Sequence, residues 1–232
     1  MGKEIEKILH TIPGVSVQAI VDDAGDWDLY FENFLQSDVA IEFSVPSDAY
    51  DNCKKCLEHH IPVVTGTTGW HDGQKRLLDE YGERGGSIVY GSNFSIGANL
   101  FFLLNKQLAH WMDSQNAYEV RIEETHHLAK KDEPSGTAIS LAQLIIGEIE
   151  RKSSWTKEEI GADKVAIRSF REGEVTGIHK VRYDSEEDTI SLMHTAHNRK
   201  GFASGAVKAA LWLADHPGIY NFQDIFLLFN KK

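Results

Sequence analysis

The chain has 232 residues, 41% of them hydrophobic and 25% charged, a balance that supports one large or two small globular cores. A net charge of -11 argues against nucleic acid or an anionic membrane surface as the main partner, and the longest strongly apolar run, Leu100 to Leu104, falls far short of the ~20 residues of a membrane span. No charged leader with a small-residue cleavage site opens the sequence, so a cytoplasmic location is expected.

Ile5, Ile8, Leu9 and Ile12 recur at helical spacing, and Pro13-Gly14 ends that helix. Val15 to Val21 reads as a buried strand and Val39 to Ser44 as another, with a short helix over Leu29 to Leu35 between them. Pro46-Ser47 opens a helix with Ala49, Cys53, Cys56 and Leu57 among its apolar positions. Pro62 to Thr65 is a strand, Gln74 to Arg84 a polar helix, and Ser87 to Tyr90 a further strand. This alternation predicts an α/β domain, a parallel sheet with helices on both faces.

Beyond Gly97 the pattern changes. A long helix to about Met112 precedes an alternating strand, Tyr118 to Glu124, then a loop and a helix over Thr137 to Ile149. Val165 to Phe170, Val175 to Tyr183 and Thr189 to Thr195 follow as strands without intervening helices, the grammar of an α+β unit with a largely open sheet. Gly205 to Ala214 reads as a helix returning to the first domain, and Phe222 to Phe229 closes the chain. The expected organisation is a dinucleotide-binding domain over 1–96 and 205–232, and a substrate-binding and oligomerisation domain over 97–204.

A doubly wound nucleotide domain opens with a strand, a glycine-rich turn and a helix. Here Met1-Gly2-Lys3 suits only the tail of a G-x-G-x-x-G fingerprint, with Gly2 as its last glycine. The expectation is an N-terminally truncated chain; the plain alternative is a different fold that opens on this helix. Asp22-Asp23 follow a predicted strand, where a carboxylate accepts hydrogen bonds from an adenosine ribose and repels a 2′-phosphate, favouring NADH over NADPH. Acids after strands are equally often solvated. Gly66-Thr67-Thr68-Gly69 and Gly91-Ser92-Asn93-Phe94-Ser95 also sit at strand ends, where such sheets bind ligands, and Phe94 offers a ring to a nicotinamide. Ordinary turns are the competing reading.

Cys53 and Cys56, with His60, fall at spacings that one helix face would bring together as metal ligands. The segment offers no fourth ligand, and a redox pair would sit at a helix start, so buried free thiols and no metal are expected.

The most informative stretch runs from Glu124 to Ala138, leaving a strand, crossing a loop and entering a helix. His126, His127, Lys130 and Lys131 make a local positive site on an acidic protein. Pro134-Ser135-Gly136-Thr137 is a helix start whose free amides suit a carboxylate. Histidine donates a proton near neutral pH, and a lysine ammonium stabilises developing negative charge. These parts suit reduction of a small anionic substrate carrying a C=C or C=N bond; the competing reading is surface histidines beside a basic turn. A second basic run, His197-Asn198-Arg199-Lys200, either adds a carboxylate partner or is a solvated turn.

The run E-T-H-H-L-A-K-K-D-E-P-S-G-T-A closely resembles E-x-H-H-x-x-K-x-D-x-P-S-G-T-A, the signature of dihydrodipicolinate reductases. G-T-T-G at Gly66 to Gly69, N-F-S at Asn93 to Ser95 and R-x-x-F-A-x-G-A at Arg199 to Ala206 are similar to further motifs of that family, in the same order. The resemblance implies a Rossmann-like domain completed by the C-terminal helices, a substrate and tetramerisation domain with a mixed sheet, and a homotetramer. It implies NAD(P)H-dependent reduction of 4-hydroxy-tetrahydrodipicolinate to tetrahydrodipicolinate in lysine and diaminopimelate synthesis. It carries over His126 as the catalytic acid/base and Lys130 as a second proton donor, with His127, Gly136 and Thr137 holding the dicarboxylate. Gly66, Thr67, Thr68, Gly91, Ser92, Asn93 and Phe94 would line a nicotinamide cofactor, NADH in preference to NADPH, with Asp22 on the ribose. Two alternatives stand beside it: a two-domain oxidoreductase acting on sugars or semialdehydes, and a truncated, non-catalytic chain that folds and oligomerises without cofactor.

Overall fold

The computed structural model describes residues 1–158 and 163–229. In chain order the elements are α1 (Gly2–Leu9), α2 (Ala24–Phe34), β1 (Ala40–Glu42), α3 (Ala49–Glu58), β2 (Val63–Thr65), α4 (His71–Arg84) and β3 (Ile88–Tyr90). Then come α5 (Ile96–Met112), β4 (Glu119–His126), α6 (Gly136–Glu148), β5 (Ser154–Thr156), β6 (Lys164–Arg171), β7 (Gly177–Asp184) and β8 (Thr189–Ala196). The last are α7 (Lys200–Asp215), β9 (Ile219–Asn221) and α8 (Phe222–Ile225). The chain divides into two compact units, one of Met1–Ile96 with the segment from Arg199 onward, the other Gly97–Asn198. Among the described residues, no helix is long and apolar enough to cross a membrane.

The first unit is built on an all-parallel sheet in the order β1-β2-β3-β9. Its strands are short, and Val63, Val64 and Thr65 of β2 are all buried, because helices cover both faces. On one face Ala203, Ala206, Val207, Ala210 and Leu213 of α7 pack with Ile5 of α1 against Val64 and Val89. On the other, Cys53 and Leu57 of α3 and Leu77 and Tyr81 of α4 pack against Val63 and Ile88.

Three expectations change here. Val15 to Val21 is alternately half-buried and exposed but forms no strand. Extended backbone joins a sheet only where a neighbour takes its hydrogen bonds, and pairing in this sheet starts at β1, whose outer edge has no partner among the described residues. Helix α2 starts at Ala24, well ahead of Leu29, because Asp23 accepts from the Gly25 and Asp26 amides and Asp26 accepts from Asp23 N–H, a capping box. Helix α7 likewise starts at Lys200, ahead of Gly205, and β9, too short to show a period, was not foreseen.

The second unit carries a mixed sheet in the order β5-β6-β4-β7-β8, parallel from β5 to β4 and antiparallel from β4 to β8. One face meets α5 and α6 in a single core: Phe101, Phe102, Ala109 and Met112 of α5, and Ala138, Leu141, Ala142 and Ile145 of α6, against Val120, Ile122, Val165, Ile167, Val181 and Tyr183. Strand β4 continues to His126, past the expected end at Glu124, because β6 and β7 both pair along it. The short edge strand β5 was not foreseen.

Candidate functional site

Strand alternation decides what the second sheet presents. On β4, Ile122, Glu124 and His126 share the buried face. The ladder sets Glu124 directly between Ser169 of β6 and His179 of β7, so these side chains form one row under a common cover. Glu124 is 1% exposed, and His126 and His179 are 6% each. Oε1 of Glu124 accepts from the Ser135 amide at 2.9 Å and from Ser169 Oγ at 2.6 Å. Its Oε2 lies 3.6 Å from His126 Nδ1 and 3.6 Å from His179 Nε2. Ser135 Oγ stands 3.1 Å from His179 Nε2 and accepts from the Ala138 amide at 3.2 Å. Gly177 leaves room for the imidazole, since a Cβ there would stand 3.2 Å from His126 Nε2.

Burial by itself would raise the Glu124 pKa, but attraction to His179 and the hydrogen bonds from Ser135 and Ser169 outweigh it and bring it down to about 2. Burial lowers His126 to about 4, helped by repulsion from His179 and opposed by Glu124. At neutral pH the site therefore holds a carboxylate facing a neutral imidazole. Both groups then make the fold acid-sensitive. The unfolded His126 binds its proton near 6.5 and the folded one only near 4, so stability falls as pH drops through that window. The contribution of Glu124, present above 4.5, is lost as pH falls toward 2. Urea titrations between pH 7 and 4 should show unfolding free energy falling by on the order of 3 kcal/mol from His126, and His126→Ala should flatten that slope.

Helix α6 starts with amides that need acceptors. Ser135 N–H is taken by Glu124 and Ala138 N–H by Ser135 Oγ. The amides of Gly136 and Thr137 have no acceptor among the described residues, and nothing stands within 4 Å of where a Cβ on Gly136 would be. This is open ground for an anion. In the preceding loop, Lys130 Nζ is held by both oxygens of Asp132 at 2.6 and 2.7 Å. Arg171 braces that loop by donating to the carbonyls of Asp132 at 2.8 Å and Lys130 at 3.4 Å. His127 is half-buried, and its carbonyl accepts from the Lys130 amide.

The structure thus brings His126, Gly136 and Thr137 to one end of β4 and α6, with Lys130 in the connecting loop. Sequence reasoning missed His179, Ser169 and Arg171, which lie on β6 and β7, far along the chain from the signature. A histidine at a buried position of an alternating strand was the available signal for His179. Among the described residues, Glu124, His126 and His179 form one group whose possible metal-ligating atoms lie within 4.8 Å of one another. Serine hydroxyls and an amide already serve Glu124 Oε1 and His179 Nε2, so the group is a hydrogen-bonded cluster as it stands.

In the first unit, the parallel register sets the ends of β1, β2 and β3 along one edge. Glu42, buried at the end of β1, accepts from Ser44 N–H at 2.7 Å, Thr67 Oγ1 at 2.9 Å and Thr65 Oγ1 at 2.5 Å, tying β1 to the Gly66-Thr67 turn. Trp70 Nε1 donates to the Thr67 carbonyl, and Thr68 is exposed. Phe94 is 1% exposed, its ring 5.5 Å from that of Phe43 and 4.5 Å from that of Phe222, so it serves the core. The half-buried ring at this edge is Phe43, which lies against Gly66. Gly91 and Asn93 are half-buried and Ser92 exposed. Asp22 and Asp23 are both exposed, and the Asp23 side chain is spent on the α2 cap.

Cys53 and Cys56 are buried free thiols in the α3 core; burial pushes Cys56 up to about 12 and Cys53 well above its usual value. His60 lies beyond the end of α3 with a left-handed backbone, φ 58°, and so does not share its face. The second basic run is divided: His197 and Asn198 belong to the second unit, while Arg199 begins the return to the first.

A parallel α/β sheet with small-residue turns at its strand ends, carried with a mixed-sheet unit that holds a histidine–lysine loop, defines the class of two-unit oxidoreductases. More particularly, the chain belongs to the dihydrodipicolinate reductase family: the model of that family's N-terminus matches residues 1–94 and the model of its C-terminus residues 97–226. It is 44% identical to the 4-hydroxy-tetrahydrodipicolinate reductase of Christiangramia forsetii, over 97% of this chain and 93% of that protein. It is 34% identical to the enzyme of the same name from Rickettsia bellii, over 97% and 90% respectively. The fold is similar to that of a dipicolinate-bound dihydrodipicolinate reductase from Paenisporosarcina sp. TG-14, with a TM-score of 0.78 at 21% identity, covering 97% of this chain and 94% of that one.

Proposed function

We propose that the chain reduces 4-hydroxy-tetrahydrodipicolinate to tetrahydrodipicolinate with a nicotinamide coenzyme, in lysine and diaminopimelate biosynthesis. The observation that carries this reading is the pairing of a buried carboxylate–imidazole couple with two unfilled helix amides inside the family signature. The 4-hydroxyl leaves as water together with a ring proton, C4 then gains a hydride and the ring regains a proton. The coenzyme supplies that hydride when bound.

The chain's own residues do the rest. The Gly136 and Thr137 amides, with His127, hold a substrate carboxylate. A dianion beside His126 favours the imidazolium and raises its pKa from about 4 toward the working range, so substrate binding charges the acid. His126 then delivers the proton, and Lys130, exchanging Asp132 for substrate, stabilises the charge that develops.

The strand-end residues fit a nucleotide by size: Gly66, Thr67, Thr68, Gly91, Ser92 and Asn93 are small or polar along one edge of a parallel sheet, with Phe94 packed behind them. Asp22, exposed while Asp23 caps α2, takes the adenosine ribose and makes NADH the preferred coenzyme. Asp22→Ala should raise NADPH affinity relative to NADH about tenfold, roughly 1.4 kcal/mol. Calorimetry with both coenzymes measures the ratio, and an unchanged one removes this assignment. The chain works in the cytoplasm as a homotetramer.

The direct test mixes purified chain, NADH and freshly generated substrate and follows NADH absorbance. Oxidation that depends on substrate and is competitively inhibited by dipicolinate is expected. Tight NADH binding without oxidation, or indifference to dipicolinate, would overturn the reading.

A further inference from the structure

Glu124 is buried, ionised and named in no step of the chemistry proposed above. Its two oxygens do different things. Oε1 is saturated by the Ser135 amide and the Ser169 hydroxyl. Oε2 is buried without a hydrogen-bond partner, and so is His126 Nδ1, 3.6 Å away. His179 Nε2 is equally close to Oε2 but already has Ser135 Oγ at 3.1 Å. Of the two imidazoles, His126 is therefore the one left with an unserved nitrogen against an unserved oxygen. An approach of a few tenths of an ångström turns that contact into a charge-assisted hydrogen bond as soon as Nδ1 carries a proton.

We propose that Glu124 is a positioning residue for the acid: it accepts from Nδ1–H of His126, leaving Nε2–H as the proton to be given away, and it stabilises the imidazolium before transfer. The same carboxylate holds Ser135 N–H at the entry to α6, so one side chain links the imidazole to the backbone that binds the anion. The sheet register makes this possible by placing Ser169 and His179 on either flank, where they fix the carboxylate's rotation. His179 acts on Glu124, through Ser135 and by its own proximity, and also meets His126 directly, the two rings lying 5.0 Å apart. A carboxylate that orients a histidine in this way sets its tautomer, and its loss leaves geometry intact but the wrong nitrogen protonated.

The inference rests on His126 being the acid, and the experiment separates the two. In Glu124→Gln the amide oxygen can keep the Ser135 and Ser169 contacts, while its NH2 faces Nδ1 and favours the tautomer with that nitrogen bare. Turnover should fall on the order of 100-fold, with dipicolinate Kd within about threefold and the thermal midpoint close to the parent. Because a negative neighbour raises a histidine pKa, the alkaline fall of kcat/KM should move to lower pH in the variant. Glu124→Asp should restore part of the rate, and adding Glu124→Gln to His126→Ala should cost nothing further. If His126→Ala is slow but Glu124→Gln keeps its rate and pH profile, this role for Glu124 is wrong and the acid assignment stands. If His126→Ala is itself unimpaired, both fall. A Glu124→Gln variant that loses dipicolinate binding in step with turnover has lost the helix start instead, which also overturns the proposal.

Discussion

His126→Ala should lower kcat about 1,000-fold while the Kd for NADH stays within about threefold. The size follows from what is removed. Proton delivery by a positioned group is worth two to four orders of magnitude, and His126 is buried, rests neutral and faces a carboxylate. The selectivity follows from the division of the chain, since all the residues proposed for the coenzyme lie in the unit that does not contain His126. Steady-state rates and NADH titration on one preparation make the comparison. Equal losses in turnover and in NADH binding would mean that the substitution acts through folding.

Gly205→Ala, by contrast, should damage the first unit severely. On an isolated helix the change would stabilise by up to ~1 kcal/mol, since alanine is the better helix former. In α7, however, a Cβ at Gly205 would stand 1.7 Å from the Phe94 carbonyl oxygen and 3.2 Å from the Phe222 ring. A backbone carbonyl cannot rotate aside, so α7 must lift away from the turn after β3, and the packing of Phe94 on Phe222 opens. The expected cost exceeds ~3 kcal/mol and lowers the thermal midpoint by about 10 °C. Gly201→Ala is the matched control on the same helix: its nearest contact would be Ser95 Oγ at 3.5 Å, an ordinary distance, and it should melt like the parent. A Gly205→Ala midpoint equal to that of Gly201→Ala would refute the packing argument. Because the turn from Gly91 to Asn93 leads into Phe94, NADH affinity should fall along with stability.

Gly205 also shows how a residue is legible in a sequence without its reason being so. The R-x-x-F-A-x-G-A run marked it as a family position, but only the approach of Phe94 explains why no side chain fits there. Cys53 and Cys56 went the other way: helical spacing admitted a metal, and the position of His60 beyond α3 removed its partner. The Phe94 ring folds into the core and the half-buried ring at the strand ends is Phe43, because a turn's sequence does not say which way its ring folds. Val15 to Val21 has the composition of a strand and even its alternating burial, yet lacks the paired neighbour that makes one.

By itself the sequence determined the class of each half, the order of most helices and strands, the capped start of α6 and the loop that holds the histidines and Lys130. These follow from periods, caps and motifs whose terms lie a few residues apart, where the chain's own geometry dictates who meets whom. Only the tertiary structure decided that Glu124 sits between Ser169 and His179, that His126 rests neutral, and that the Asp23 side chain, not that of Asp22, is spent on the α2 cap. Each of these depends on strand register, on burial, or on a competing local hydrogen bond. Register joins residues distant in sequence, and burial sets the cost of a charge, so neither can be read from neighbouring letters.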